Sequence, residues 1–236
     1  MTVRQLSVPG FFIAADDKAV LVDALTRHRW GPATETRELL ATAAPPFDEI
    51  DLVLVTHSHG DHFHRESVAR HLVHNPNAVL VTGMFVRDEL AGLPEFQEFE
   101  DRVIALDPEP GEVVEVEANG IRMKVFRLSH GERGNDYSMD NLAMMADLLA
   151  AKIFTTGDVA PSGQTEIFQR ARLDRDSIDF AFLAFTMFEN ENQPEGMSII
   201  DEYIKPRHIV VAHLGDRHFG EFSEAIRNRY ANAIIF

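Results

Sequence analysis

The chain has 236 residues and a formal net charge of −16, from 22 basic and 38 acidic side chains. Its apolar share of 45% and charged share of 25% are those of an ordinary globular protein, which excludes a disordered or fibrous chain. The absence of cysteine excludes disulfide scaffolds, thiolate zinc sites and cysteine nucleophiles. The acidic balance disfavours nucleic acid and anionic membrane surfaces as partners, because both are negatively charged.

No segment of the sequence indicates export or membrane insertion. The first ten residues lack the apolar core of a secretory signal, and no run approaches the ~20 apolar residues that a spanning helix needs. We therefore expect a soluble, cytoplasmic protein. Because no repeat, linker or change in composition divides the chain, we also expect a single domain over residues 1–236.

The N-terminal part of the sequence predicts strands that alternate with helices. Residues 51–55 form an apolar run rich in β-branched side chains, which is typical of a strand buried on both faces. Pro45 and Pro46 end the helix before it, since proline cannot continue a helix. In chain order we predict a hairpin over 11–15 and 19–22, a helix over 34–42, a strand over 51–55, a helix over 66–74, a strand over 78–81 and a helix over 83–90.

The C-terminal part is richer in strands. Asn119 and Gly120, between two apolar runs, are a strong signal for a type I′ hairpin turn. We predict strands over 102–106, 112–117, 121–128, 141–146, 152–156, 179–185, 208–211 and 233–236, with helices over 166–171, 196–204 and 222–230. This order predicts an α+β fold in which two sheets pack face to face with helices outside.

The histidines are distributed unevenly along the chain. Eleven are present, and four of them fall within residues 57–64, directly after the predicted buried strand. Imidazole and carboxylate groups are the usual protein ligands of zinc and similar cations. His57 and His59 can point the same way in an extended loop and hold one ion, while Asp61 and His62 can hold a second. The glycine between the two pairs allows the sharp turn that this requires.

Three further candidate ligands each follow a predicted strand. They are His130, Asp158 and His213. Ligand sites gather at strand ends because the loops there carry chemistry on a rigid scaffold. These strand ends can therefore supply one shared site together with the histidine motif.

The order of these residues resembles the metallo-β-lactamase superfamily. The pattern runs from Asp23 through His-x-His-x-Asp-His to a later His, Asp and His, and it covers nearly the whole chain. The resemblance implies an αββα four-layer sandwich, made of two mixed sheets packed face to face with helices outside, and a site at one edge of the sheets. It implies that one metal is held by His57, His59 and His130, a second by Asp61, His62 and His213, that Asp158 bridges both, and that Asp23 steadies the histidine loop.

The implied chemistry is hydrolysis by a dinuclear metal centre. Two divalent ions, zinc foremost with manganese or iron as alternatives, would share a hydroxide that attacks a carbonyl or phosphoryl centre. Either Asp61 or a metal-bound water would give a proton to the leaving group, and the sequence leaves that choice open. His218, five residues past His213, is a further candidate for proton transfer or substrate contact, against a role in capping a helix.

Two segments restrict the range of possible substrates. Residues 56–63 and 205–215 resemble the corresponding segments in the compact branch of the superfamily that includes ascorbate-6-phosphate lactonase-like proteins. This resemblance implies a hydrolase of a small lactone or ester. One alternative is a phosphodiesterase, which needs cationic groups near the metals, and the candidates are Arg127, Arg133 and Arg217. Another alternative is a non-catalytic metal-binding protein. In such a protein we would expect one of the ligand positions to be substituted, and all of them are present here. A small molecule is the expected partner, and self-association into a homo-oligomer stays open.

Several other polar residues have less specific interpretations. His64 is predicted to begin a helix, and His71 and His74 to be solvated on that helix. His28 and Trp30 lie in a loop of the kind that borders the active-site mouth in the superfamily. Two interpretations are open for this loop: its residues contact the substrate, or Trp30 has a structural role at the edge of the core.

Overall fold

The structure is a computed structural model that describes residues 1–130, 140–189, 193–214 and 220–235. The chain forms two compact units. The first comprises Met1–Asp107 with Ala118–Gly120, and the second comprises Pro108–Glu117 with Ile121–Phe236. The single domain expected over residues 1–236 stays a prediction.

The first unit is built on a mixed sheet. Its described strands are β1 (Thr2–Gln5), β2 (Phe11–Ala15), β3 (Lys18–Val22), β4 (Leu52–Leu54), β5 (Val79–Gly83) and β6 (Val103–Leu106). They lie in this order in space, antiparallel from β1 to β3 and parallel from β3 to β6. The parallel strands therefore present their carboxyl ends at one edge, where the segments that follow them lie side by side.

Helices cover this sheet with apolar side chains. They are α1 (Thr34–Ala41), α2 (Arg65–His74) and α3 (Met84–Ala91), with 3-10 turns over Phe96–Glu98 and Glu100–Arg102. Leu40, Leu72 and Leu90 from the helices cluster with Leu21 and Leu80 from the strands in one core. Every residue of β4 is buried, which confirms the buried strand predicted there.

The second unit contains the other mixed sheet. Its described strands are β7 (Val114–Ala118), β8 (Ile121–Leu128), β9 (Asn141–Asp147), β10 (Lys152–Thr155), β11 (Phe180–Ala184), β12 (His208–Ala212) and β13 (Ala233–Ile234). Their spatial order is β13-β12-β11-β10-β9-β8-β7. Strands β8 to β10 pair antiparallel, and β10 to β13 pair parallel, so β8, β10 and β12 end at a shared edge.

Phenylalanine rings form the centre of the second unit's core. Phe126 on β8 and Phe154 on β10 stack at 6.0 Å between ring centroids, across the intervening strand β9. Phe168 meets Phe126 edge-on at 5.8 Å, which fixes its helix on the sheet. The helices of this unit are α4 (Thr165–Ala171), α5 (Gln193–Ile199) and α6 (Glu221–Arg229), with 3-10 turns over Leu173–Arg175 and Phe185–Phe188 and a π-helical turn over Ile200–Ile204.

The predicted α+β class, with two mixed sheets and helices, is confirmed. Asn119 and Gly120 both have positive φ, 51° and 73°, as a type I′ turn requires. The sequence did not predict β1, a polar edge strand whose residues alternate between exposed and half-buried. It also missed the π-helical turn at the end of the helix expected over 196–204, because apolar spacing does not distinguish the two kinds of turn.

Among the helices of the described residues, none is both long and apolar enough to cross a lipid bilayer.

Candidate metal centre

The histidine motif follows β4, between the segments that follow β3 and β5. Asp23, the first residue after β3, donates its backbone N–H to Leu54 O at 2.9 Å and so joins the ends of two neighbouring strands. Its φ of 46° lies in the left-handed region, where residues other than glycine are uncommon and Asp is tolerated better than most. This backbone turn brings the Asp23 side chain under the start of the motif.

The Asp23 carboxylate organises two of the motif histidines. It is buried, with 2% of Asp23 exposed, and it accepts from Thr56 N at 2.8 Å, Thr56 Oγ1 at 2.8 Å and His62 Nδ1 at 2.9 Å. Thr56 Oγ1 also lies 3.0 Å from His57 Nδ1. Because the one hydroxyl hydrogen goes to Asp23, His57 is the donor in that contact. Both histidines therefore carry a proton on Nδ1, and Nε2 is the nitrogen with a lone pair for a ligand.

The rest of the motif forms a tight turn. His57 Nε2 and His59 Nδ1 lie 3.2 Å apart, a separation that suits two nitrogens each ~2 Å from one ion. The backbone N–H groups of His62 and Phe63 both donate to His59 O at 2.9 Å. The turn reverses the chain within a few residues, so that the two halves of the motif stay close.

In the second unit, the candidate ligands follow different strands. His130 comes after β8 and pairs with Val159 in an isolated antiparallel bridge. Asn141, fully buried at the start of β9, accepts from Asp158 N at 3.1 Å and donates to Thr156 O at 3.2 Å. A neutral amide on β9 therefore fixes the backbone on both sides of the turn that presents Asp158.

Asp158 also lies next to the third candidate of this unit. Its Oδ2 atom is 3.4 Å from His213 Nε2. His213 directly follows β12 and has a left-handed φ of 61°, an uncommon conformation for a residue with a Cβ. Backbone conformations of this kind gather at functional sites, because surrounding structure must hold them.

The ligand atoms of these residues approach one another in three groups. Within each group, one ligand atom from every member lies within 4.8 Å of the others. The groups are His57, His59 and His130; His57, His62 and Asp158; and Asp61, His62 and His213. All the metal ligands predicted from the sequence occur in these groups, and their role as ligands stays a prediction. His218, proposed with Asp61 for proton transfer, lies outside the described residues, as do Arg133 and Arg217.

A family model for the beta-lactamase superfamily domain matches residues 18–229. The chain belongs to the beta-lactamase superfamily. This confirms the superfamily predicted from the ordered His and Asp pattern, and the predicted class, a metal-dependent hydrolase, agrees with it. No curated protein matches the sequence.

Solved structures share this fold at low sequence identity. Igni18, a novel metallo hydrolase from the archaeon Ignicoccus hospitalis, is 13% identical with a TM-score of 0.67, over 99% of this chain and 93% of that one. An isothiocyanate hydrolase from Delia radicum gut bacteria is 14% identical with a TM-score of 0.62, over 100% and 96%. Zn²⁺-bound PqqB from Methylobacterium extorquens is 12% identical with a TM-score of 0.57, over 99% and 86%. At these identities the likeness concerns the fold alone.

The donor set of this superfamily member fits a divalent metal ion. Its groups combine imidazole nitrogens with carboxylate oxygens and contain no sulfur, a set that suits zinc and admits manganese or iron. The carboxylate of Asp23 on His62 Nδ1 is the kind of partner that orients a metal-binding imidazole and fixes its tautomer. The hydrogen-bond network thus prepares both His57 and His62 to coordinate through Nε2.

Three residues that support the site were not singled out in the sequence. Thr56 links Asp23 to His57 by hydrogen bonds. The sequence did offer a sign of this role, because Thr56 is a hydroxyl residue between a buried strand and the histidine motif. Asn141 gave no signal, because its partners are backbone groups of another strand. Gly10 leaves room for Asp23, since a Cβ there would lie 2.4 Å from Asp23 O.

Other histidines serve the fold. His64 caps α2, as predicted, because its side chain accepts from Ser67 N. Burial lowers the pKa of His64, and the nearby Glu66 opposes that shift. The prediction that His71 is solvated is wrong: His71 is fully buried, and its Nδ1 contacts Leu40 O. The prediction rested only on its place in a helix, and α1 packs on that helix and covers His71.

Proposed function

We propose that the chain is a hydrolase with a two-ion metal centre that acts on a small lactone or ester. The grouping of ligand atoms carries this proposal. The group of His57, His62 and Asp158 takes one member from each of the other two groups and adds one carboxylate. Such sharing is what two neighbouring ions with a bridging carboxylate require.

The residues have distinct roles in this proposal. One ion would be held by His57, His59 and His130, the other by Asp61, His62 and His213, with Asp158 between them. When bound, divalent ions supply Lewis acidity and lower the pKa of water to ~7, which makes a nucleophile available at neutral pH. Zinc is the proposed metal.

The protein's own groups then orient the site and move protons. Asp23 and Thr56 keep the imidazoles of His57 and His62 in the tautomer that coordinates through Nε2. Asp61 is half-buried, and a carboxyl in that position can pass a proton to the leaving group. We propose His218 as a second group for proton transfer.

An ester or lactone is favoured over a phosphodiester by the state of Arg127. Its guanidinium lies 3.2 Å from Asp140, and both side chains are largely buried. A cation whose charge is already compensated by a buried carboxylate is poorly suited to hold a phosphate. The resemblance of segments 56–63 and 205–215 to lactonase-like proteins points in the same direction.

Metal analysis and hydrolysis assays on the same sample test the proposal. We expect about two zinc ions per chain, as a two-ion centre requires, and turnover of a lactone or ester but not of bis(p-nitrophenyl) phosphate. An isothiocyanate belongs in the panel, since one structural neighbour is an isothiocyanate hydrolase. Protein that binds no metal on reconstitution would contradict the proposal.

The Asp158→Ala variant tests the bridging role. We expect its zinc content to fall to one ion or none, with loss of hydrolysis, because no other carboxylate occupies that group. Asp176→Asn is the matched control, since Asp176 pairs with Lys124 and belongs to none of the ligand groups. Two retained ions with full activity in the Asp158 variant would refute its role.

A further inference from the structure

The loop between β3 and α1 is fixed to the histidine motif by hydrogen bonds. Thr26 Oγ1 donates to Gly60 O at 2.5 Å and accepts from His28 N at 3.0 Å. On the other side of the motif, His64 N donates to Leu25 O at 3.0 Å. The loop therefore holds one position beside the predicted ligands.

The remainder of the loop is also well anchored. Arg37, from α1, donates through Nε to Pro32 O at 2.5 Å and through Nη2 to His28 O at 2.8 Å. The N–H of Val8 donates to Trp30 O at 3.0 Å. These hydrogen bonds hold the loop in one conformation, so a side chain on the loop has a fixed position.

Arg29 is an exposed residue of this loop. Its guanidinium carbon lies 4.7 Å from the ring centroid of Trp30, and its side chain is exposed. Within the described residues, no carboxylate pairs with it, whereas neighbouring Arg27 lies 3.9 Å from Glu38. A guanidinium stacked on an aromatic ring keeps its N–H edge available for a planar anion.

The charge of this loop contrasts with the rest of the molecule. The chain carries a net charge of −16, yet Arg27, His28 and Arg29 are consecutive here, and Arg37 bonds only backbone carbonyls in the described structure. A local positive charge on an acidic protein attracts anions to that place. The hydrogen bonds of Thr26 place the same loop beside the candidate ligands.

We propose that Arg29, held on Trp30, binds an anionic group of the substrate, a carboxylate or a phosphate, at a distance from the bond that is cleaved. The substrate class would be an anionic lactone or ester. This assignment rests on the proposed hydrolase function, and it adds a specificity-determining residue to it. A bidentate contact with one guanidinium is the chemistry that carboxylate and phosphate share.

Intrinsic fluorescence provides a test that does not depend on turnover. Trp30 is the only tryptophan of the chain, so its emission reports directly on the Arg29 stack. The zinc-loaded protein is titrated with glutarate, with inorganic phosphate and with the uncharged dimethyl glutarate. We expect a saturable change with an anion but not with the diester, and about tenfold weaker binding in Arg29→Gln, as loss of a charge-assisted contact predicts.

Arg27→Gln is the matched control, because Arg27 lies in the same loop and is close to Glu38. It should weaken anion binding much less than Arg29→Gln does, because Arg27 adds only its charge and makes no direct contact with the anion. The tighter of glutarate and phosphate identifies the substrate group. Equal affinity in Arg29→Gln and the wild type, or no saturable response to either anion, would overturn the proposal, since the anion would then bind elsewhere or not at all.

Kinetics on a matched substrate pair complete the test. We compare mono-p-nitrophenyl glutarate with its methyl ester, and expect Arg29→Gln to raise KM for the anionic ester by about tenfold, with a much smaller change for the methyl ester. An equal effect on both esters would overturn the assignment. Anion binding without hydrolysis of any ester or lactone would contradict the proposed hydrolase function but leave the anion site standing.

Discussion

The two units hold their candidate ligands in different ways. In the first, the candidate ligands fall within six residues of the chain, and the buried carboxylate of Asp23 orients two of them, His57 through Thr56 and His62 directly. In the second, they come from three strand ends, and the neutral amide of Asn141 holds the backbone around Asp158. The two histidines that Asp23 orients are also the more buried candidates, because His57 and His62 are 0% and 1% exposed while the His213 and Asp158 side chains are 17% and 20% exposed.

This difference indicates which support is harder to replace. A buried carboxylate that accepts three hydrogen bonds leaves several unsatisfied groups when it is removed, and it also sets the tautomers of two candidate ligands, His57 and His62. An amide that bonds two backbone groups fixes a position without affecting the charge of a ligand. We therefore expect the first unit to respond more strongly than the second when its support is removed.

The largest effect is expected for Asp23→Ala. Loss of the carboxylate removes the partner of Thr56 and His62, so we expect a loss of about 3 kcal/mol in the free energy of unfolding. Zinc affinity should fall ~10–100-fold, as for other residues that orient metal-binding imidazoles. Chemical denaturation and competition with a zinc chelator measure the two quantities.

Asp51→Ala is the matched control for Asp23. Asp51 precedes β4, where it accepts from Lys18 Nζ at 3.0 Å and Ala19 N at 2.9 Å. We expect this variant to lose stability while it keeps its zinc affinity. If both variants lost zinc affinity equally, Asp23 would be a structural residue with no special relation to the ligands.

A smaller effect is expected for Asn141→Ala in the second unit. It removes two hydrogen bonds to buried backbone, which predicts a loss of about 2 kcal/mol in the free energy of unfolding. Zinc affinity should fall less than in Asp23→Ala, because Asn141 contacts the Asp158 backbone and not its carboxylate. The same denaturation and chelator measurements allow direct comparison.

Asn75→Ala controls for the loss of a buried amide. Asn75 is also buried, and it bonds the backbone at Ile50 O and Ala78 N, within the first unit. We expect similar destabilisation without a change in zinc affinity. If Asn141→Ala bound zinc less tightly than Asp23→Ala, then Asn141 would matter more than Asp23 for zinc affinity, and the proposed ranking of the two residues would be reversed.

The same contrast explains what the sequence could predict. Strands such as β4 and the turn at Asn119 follow from local apolar pattern and turn chemistry, which the sequence displays directly. The consecutive histidine motif is readable for the same reason. Asn141 supports Asp158 across two strands, and only the strand pairing reveals that contact.

His71 shows the opposite failure, since a local pattern was interpreted without its tertiary environment. Its place on a predicted helix favoured a solvated side chain. The packing of α1 on α2 buries it instead, with Leu40 O as the partner of Nδ1. Burial lowers its pKa from 6.5 to about 4, because the charged form loses its hydration.

This shift predicts a modest pH effect in the first unit, separate from the ligands. In the unfolded chain His71 takes up a proton near pH 6.5, whereas in the folded protein it stays neutral down to about pH 4. The contribution of the neutral, buried His71 to the free energy of unfolding is therefore fully present above pH 6.5. It is lost as the pH falls from 6.5 toward 4. At pH 5.5 we expect a loss of about 1 kcal/mol relative to pH 7.5.

Denaturation curves of wild type and His71→Gln between pH 7.5 and 5 isolate this contribution, because groups common to both proteins cancel in the difference. We expect the stability gap between the two to narrow as the pH falls. His74→Gln is the control on the same helix, since His74 is exposed and bonds Arg70 O at 2.7 Å. A gap independent of pH would mean that His71 is hydrated in solution, and the acid sensitivity of this unit would then have to come from the ligand histidines themselves.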